Sequence, residues 1–218
     1  MILYILDIEQ FKESEYAKEI PKQKLHHQAG QYLLRFALGD EVYASAEFAV
    51  GERGKPYIVG YPIHYNLSHS GRYVVLVVSE YDVGVDVQEC KPVRMKALAK
   101  RFFTRQEQDV IHACNSEEGN GRILQEQLFY EIWCRKESYG KYLGVGLNEQ
   151  VLSTNVLCNQ LVDSSNFTEE RLVNEQNETG RLPNFEFHDI DMIKGYQLCI
   201  CSRKGEHIEK IISVFDGL

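Results

Sequence analysis

The chain of 218 residues is 44% hydrophobic and 26% charged, with 16 glycines, and this composition excludes a disordered or fibrous protein. Its net charge of −8 argues against nucleic-acid binding by phosphate neutralisation. No apolar run reaches the roughly 18 residues of a spanning helix, and residues 1–8 lack a basic leader or small-residue cleavage site, so the expectation is a cytoplasmic protein with no membrane partner.

Residues 2–6 read as a buried strand and 9–24 as surface helix or loop. Leu25, Ala29, Tyr32, Leu33 and Phe36 recur at helical spacing, with Gly39 placed to end that helix. Glycine and proline punctuate 51–56; residues 57–59, 65–67, 73–79 and 83–87 then read as strands. Two helices fit 93–114, the second opened by Thr104-Arg-Gln-Glu107, which has the form of a capping box. Residues 124–143 carry the strongest helical period and end at Gly144-Val-Gly146. Strands are expected at 151–157, 184–188, 196–201 and 208–214, around a polar insert at 159–181. The mixed order of elements indicates an α+β fold. Six cysteines without a C-x-x-C pair read as reduced thiols, and Cys199 and Cys201 share one face of a strand.

Within this framework a few polar residues stand out. Side chains alternate along a strand, so Asp86 and Gln88 share a face. A carboxylate in so apolar a strand requires a partner, either a structural hydrogen bond or a cation. In the long helix, Trp133, Glu137 and Lys141 at i, i+4, i+8 also share a face. An exposed Glu–Lys pair would contribute only about 0.3 kcal/mol. The tryptophan makes this stripe half-buried, where a carboxylate suits Mg²⁺ and an ammonium suits a phosphate oxygen. The segment Asn66-Leu67-Ser68-His69-Ser70 offers a histidine and hydroxyls to a phosphate monoester, and Gly54-Lys55-Pro56 holds a cation on a rigid turn. A satisfied structural histidine and a solvated lysine are the plain alternatives. From Cys90 to Gln106 there are six bases and no acid, either a solvated helix face or a docking patch for an acidic protein.

Five segments, in order, resemble the signature motifs of the Sfp-type 4′-phosphopantetheinyl transferases: Gly54-Lys55-Pro56-Tyr57, Asn66-Leu67-Ser68-His69-Ser70, Gly84-Val85-Asp86-Val87, Arg101-Phe102-Phe103 with Glu107, and Trp133-x-x-Lys136-Glu137-Ser138 with Lys141. The resemblance implies two pseudo-symmetric α/β lobes in one chain, residues 1–81 and 82–218, with the active site in the cleft between them. It implies an enzyme that transfers 4′-phosphopantetheine from coenzyme A to a serine hydroxyl of an acyl, polyketide or peptidyl carrier protein, releasing adenosine 3′,5′-bisphosphate. Such carriers serve fatty-acid, polyketide or nonribosomal-peptide biosynthesis.

Carried over by residue, the resemblance gives Gly54, Lys55, Pro56, Ser68 and His69 to the adenosine and 3′-phosphate end of coenzyme A, joined by Lys22 and Lys24. Asp86, Gln88 and Glu137 become Mg²⁺ ligands, Lys141 neutralises the pyrophosphate, and Glu107 or Glu137 takes the serine proton. Glu107 is at the same time the last residue of the capping box. Many members have a second acid where this chain has Gln88, a neutral oxygen that predicts weaker Mg²⁺ affinity. The acidic carrier is expected to dock between Lys91 and Arg105, on a monomer. Two rivals share these residues: a Mg²⁺-dependent phosphatase or nucleotidyl transferase, and a non-catalytic module that binds coenzyme A or a carrier protein.

Overall fold

The structure, a computed structural model, describes residues 1–114, 121–157 and 184–215. Alternation along β1 (Ile2–Asp7) and β5 (Tyr73–Ser79) decides its layering. Tyr4, Leu6, Val74 and Leu76 pack with Leu33 and Leu34 of helix α2 (Leu25–Leu38), whereas Leu3, Ile5, Val75 and Val77 point to the opposite face. A four-stranded sheet results, in the order β4-β5-β1-β9, with β4 at His64–Ser70 and β9 at Lys210–Val214. Strands β6 (Val83–Glu89), β8 (Tyr196–Arg203) and β7 (Phe185–Asp189) form a second, antiparallel sheet in the order β6-β8-β7. Val83, Val85 and Val87 of β6, with Leu198 and Ile200 of β8, share one core with the second face of the first sheet. The opposite face of β8 meets helix α6 (Gly121–Tyr142), where Cys201 packs with Tyr139 and Cys199 accepts from the Ser138 hydroxyl. The layers therefore run helix, sheet, sheet, helix, an α+β arrangement.

The two sheets are joined by side chains along one seam. Alternate residues of β4, Asn66, Ser68 and Ser70, accept hydrogen bonds from the backbone N–H groups of Val85, Val87 and Glu89. The edge of β6 that does not pair with β8 is thereby satisfied without a ladder, since buried backbone donors need partners. Helix α6 approaches the same strand closely: a Cβ on Gly84 would lie 2.1 Å from the Ser138 carbonyl oxygen. Only glycine permits this contact, which brings the face carrying Asp86 against α6.

Several local signals act as expected. Gly39 ends α2 with φ +80, and Thr104 with Glu107 forms a complete capping box on α5 (Arg105–Ala113). Gly144, with φ +65, closes α6: its N–H bonds to the Lys141 carbonyl and that of Val145 to the Gly140 carbonyl, the pairing of a Schellman cap. One expectation is corrected. Residues 151–157 are not a strand, because Asn148 caps a short helix, α7 (Glu149–Ser153), by accepting from Val151 N. Strand β9 near the C-terminus pairs in parallel with β1, so the first sheet draws on both ends of the chain. The insert at 159–181 and Cys158 lie outside the described residues. No helix among the described residues is long and apolar enough to cross a membrane.

Candidate functional site

Where β4, β6 and α6 converge, a cavity of about 400 Å³ is lined by Leu67, Ser68, His69, Asp86, Val87, Gln88, Trp133, Glu137 and Lys141. The two alternation arguments, period 2 for Asp86 and Gln88 and period 3.6 for Trp133, Glu137 and Lys141, thus deliver their residues to one space. At its floor Lys141 Nζ donates to Asp86 Oδ1 at 2.7 Å, to Ser68 Oγ at 2.9 Å and to the Val85 carbonyl at 3.0 Å. All three ammonium protons are engaged. The Ser68 hydroxyl in turn donates to Asp86 Oδ1 at 2.9 Å. The other oxygen of Asp86, Oδ2, is buried and has no hydrogen-bond partner among the described residues.

Electrostatics at the site follow from this burial. The Glu137 carboxyl is pushed above its ordinary range, first by burial and then by the Asp86 charge, with Lys141 acting in the opposite direction. Behind Asp86 the thiol of Cys134 is held protonated, mainly by burial and then by that carboxylate. A bare buried carboxylate oxygen beside a second carboxylate destabilised as an anion is a donor set that fits a divalent cation. No group of three or more His, Cys, Asp or Glu suited to a metal occurs among the described residues. Asp86, Glu137 and the neutral Gln88 all line this cavity, and their oxygens could hold an ion such as Mg²⁺, which keeps waters and takes further oxygens from its substrate.

Lys55 sits elsewhere on the same seam. It lines a second cavity of about 580 Å³ with Gly51, Pro56, His64, Tyr65, Asp82 and Gly144 among others, and its ammonium bonds Asp82 Oδ1 at 3.1 Å and the Tyr142 carbonyl at 2.9 Å. Both cavities run along the same three elements: His64 and Tyr65 precede Ser68 on β4, Asp82 precedes Asp86 at β6, and Gly144 follows Lys141 after α6. Gly54, with φ +91, makes the turn between β2 (Phe48–Val50) and β3 (Pro56–Ile58) that presents Lys55 and Pro56 to this space.

The remaining expected residues divide. Lys22 and Lys24 are exposed in a 3₁₀ turn before α2 and line neither cavity. His26, which the sequence reading passed over, does reach the site: its ring lies 4.9 Å from that of His69, and its Nε2 bonds the Gly71 carbonyl. The His-His doublet at 26–27 beside two lysines was the available signal. His69 itself, at the rim, has its imidazole pKa lowered by partial burial, by His26 and by Lys141.

Glu107, expected as the capping-box residue and as a base, is held by the fold in the first of these roles. Its carboxylate is 0% exposed and accepts from Thr104 N at 2.7 Å, from Val156 N at 2.9 Å and from the Lys136 ammonium at 3.1 Å. With those partners it holds a fold contact, and it is not among the residues that line the cavity of Asp86.

Comparison with known proteins follows this geometry. A family model described as the 4′-phosphopantetheinyl transferase superfamily matches residues 82–201. The chain is 32% identical over 192 residues to 4′-phosphopantetheinyl transferase psf-1 of Bacillus pumilus, covering 83% of this chain and 73% of that protein. It is 36% identical over 114 residues to 4′-phosphopantetheinyl transferase Sfp of Bacillus subtilis (strain 168), a match that spans 52% of this chain and 48% of Sfp. With 4′-phosphopantetheinyl transferase gsp of Aneurinibacillus migulanus the identity is 29% over 155 residues, 71% of this chain and 57% of the relative.

Proposed function

This chain belongs to the 4′-phosphopantetheinyl transferase superfamily, and from that premise we propose that it transfers 4′-phosphopantetheine from coenzyme A to a serine hydroxyl of a carrier protein, with Mg²⁺ held by Asp86, Glu137 and Gln88. The observation that carries the site assignment is the unpartnered, buried Asp86 Oδ2 beside Glu137, with Lys141 on the same floor. When bound, Mg²⁺ supplies neutralising charge to the pyrophosphate oxygens.

The chain's own residues have distinct tasks in this reading. Lys55, on its rigid turn, and His69 hold the nucleotide end along the seam, with His26 backing His69. Lys141, with a side chain 26% exposed, exchanges one of its three contacts for a pyrophosphate oxygen and offsets the charge that builds on the leaving group. The carrier serine oxygen bonds to the β-phosphorus. The bond from that phosphorus to the bridging oxygen breaks, and the oxygen departs with adenosine 3′,5′-bisphosphate. The serine proton passes to an oxygen of Glu137, the carboxylate that also lines the cation side of the cavity. Much of the acceleration is in-line positioning of two bound reactants.

The carrier's approach belongs to the same proposal. Lys96, Lys100 and Arg101 lie exposed on α4 (Met95–Phe102), reached directly from β6, and form a basic surface for an acidic carrier protein. Reversing the charges of Lys96 and Lys100 raises the carrier KM at low salt, and the effect fades as salt is added; a carrier KM unmoved at low salt removes the patch from the reading. A monomer is part of the proposal, as is a cytoplasmic location, for which the five free cysteines among the described residues suit a reducing compartment.

Gln88 makes this site weaker for metal than one with a second acid. Gln88→Glu lowers the Mg²⁺ concentration for half-maximal activity by about tenfold, since ligand charge count tunes affinity for hard cations. An unchanged Mg²⁺ requirement places residue 88 outside the metal shell. The proposed activity is tested by the intact mass of apo carrier proteins of the fatty-acid, polyketide and peptide types after incubation with coenzyme A, Mg²⁺ and this protein. A phosphopantetheine adduct is expected on at least one. No adduct on any, from a folded protein that binds coenzyme A, favours a non-catalytic binding module.

A further inference from the structure

Asp86 on β6 and Asp82 just before it each pair with a lysine from another element, and the two pairs differ in burial. Asp86 holds Lys141 at the floor of the smaller cavity, with side chains 8% and 26% exposed. Asp82 holds Lys55 in the larger cavity, with side chains 60% and 19% exposed. An ion pair whose carboxylate is open to water contributes little by itself, and its partners exchange at small cost. The pair at Lys55 is therefore the replaceable one.

The rest of Lys55 is held in place. A Cβ on Gly144 would lie 3.3 Å from Lys55 Cδ, so the lysine stem runs close over the residue that closes α6. The ammonium donates to the Tyr142 carbonyl at 2.9 Å and to Asp82 Oδ1 at 3.1 Å, which engages two of its three protons among the described residues. His64 Nδ1 bonds the same Asp82 oxygen at 3.2 Å. When Lys55 turns toward an incoming anion, its stem and the Tyr142 contact keep the ammonium where it is. His64 and water keep the Asp82 carboxylate satisfied.

We infer that Asp82 is a built-in competitor for the phosphate of the nucleotide: it positions Lys55 before the nucleotide arrives and, by taking up part of the ammonium's charge, sets how tightly the nucleotide is held. Asp82 acts through Lys55 and touches no reacting atom, so it is a positioning residue. A lysine with a second anion in reach also lets the bisphosphate product go more easily. The inference rests on the reading that Lys55 holds the nucleotide end of coenzyme A.

The test is titration calorimetry with adenosine 3′,5′-bisphosphate in EDTA, which leaves the cation site out of the measurement. Asp82→Asn is expected to tighten binding about threefold to fivefold at low salt, the upper range for one exposed ion pair. The gain should fade as salt is added. Lys55→Met is expected to weaken binding about tenfold, the scale of a lost charge-assisted hydrogen bond. In the Lys55→Met background, Asp82→Asn should change the affinity by no more than about 1.5-fold, because the two residues act as one unit. Thermal melts of all three variants confirm that each is folded.

The inference is overturned if Asp82→Asn leaves the affinity unchanged, or weakens it, since Asp82 then contributes to holding the nucleotide. It is equally overturned if the gain persists undiminished in the Lys55→Met background, because Asp82 then acts as a repelling surface charge and not through the lysine. A Lys55→Met protein that binds the bisphosphate as tightly as wild type overturns the nucleotide role of Lys55 itself, which separates the two failures.

Discussion

Asp86→Asn is expected to lower kcat for carrier modification about 10³-fold at saturating Mg²⁺ while changing the melting temperature little. The substitution keeps shape and one acceptor oxygen for Lys141 and Ser68 but turns the other oxygen into an amide donor and removes the charge that both Lys141 and the cation require. Stability is spared because the carboxylate is 6% exposed with one oxygen unpartnered, so its burial already opposes what the ion pair contributes. Lys141 retains the Val85 carbonyl and Ser68 as acceptors. The measurement is the rate of holo-carrier formation by intact mass over a Mg²⁺ series, with unfolding followed in parallel. A loss below about tenfold at saturating metal would remove Asp86 from the reaction centre.

Glu107→Gln is expected to cost about 3–5 kcal/mol of stability, because it strands a buried ammonium. Lys136 and Glu107 side chains are 2% and 0% exposed and 3.1 Å apart. Burial drives the Lys136 pKa down and Glu107 is the group that opposes it. Lys136 also donates to the carbonyls of Val151, Leu152 and Thr154, capping the end of α7. The pair therefore ties α5, α6 and α7 together beneath the aromatic packing of Phe103, Phe129 and Trp133. A drop in melting temperature of roughly 10 °C follows for a chain of this size. The double variant Glu107→Gln with Lys136→Met should be less destabilised than the sum of the single changes, since it leaves no unpaired charge. If Glu107→Gln melted within about 2 °C of wild type yet lost transfer activity, Glu107 would be a participant in the chemistry after all.

Both predictions concern charged residues whose meaning in the sequence was ambiguous, and the structure gives the two carboxylates different surroundings. The capping box at Thr104–Glu107 was legible because it is written within four consecutive residues. The Lys136 partner was not, since it arrives from another helix 29 positions later, and nothing local announces that a capping glutamate also meets a buried lysine. Residues 151–157 were misread for a related reason: valines and leucines there resemble a strand by propensity. The outcome was set by the Asn148 cap and by Lys136 binding the carbonyls at the helix end.

By itself the sequence determined the local patterns. The period of 2 in β6 placed Asp86 and Gln88 on one face, the period of 3.6 in α6 aligned Trp133, Glu137 and Lys141, and glycines with φ of +80 and +65 ended α2 and α6. Only the tertiary structure decided how these surfaces meet. The pairing of β9 with β1, the ladder of Asn66, Ser68 and Ser70 onto the edge of β6, the approach of His26 to His69, and the separation of Lys55 into its own cavity all join residues far apart in sequence. Such contacts depend on which buried donors and charges remain unsatisfied once the sheets have packed, a condition set by the whole fold and written in no single segment.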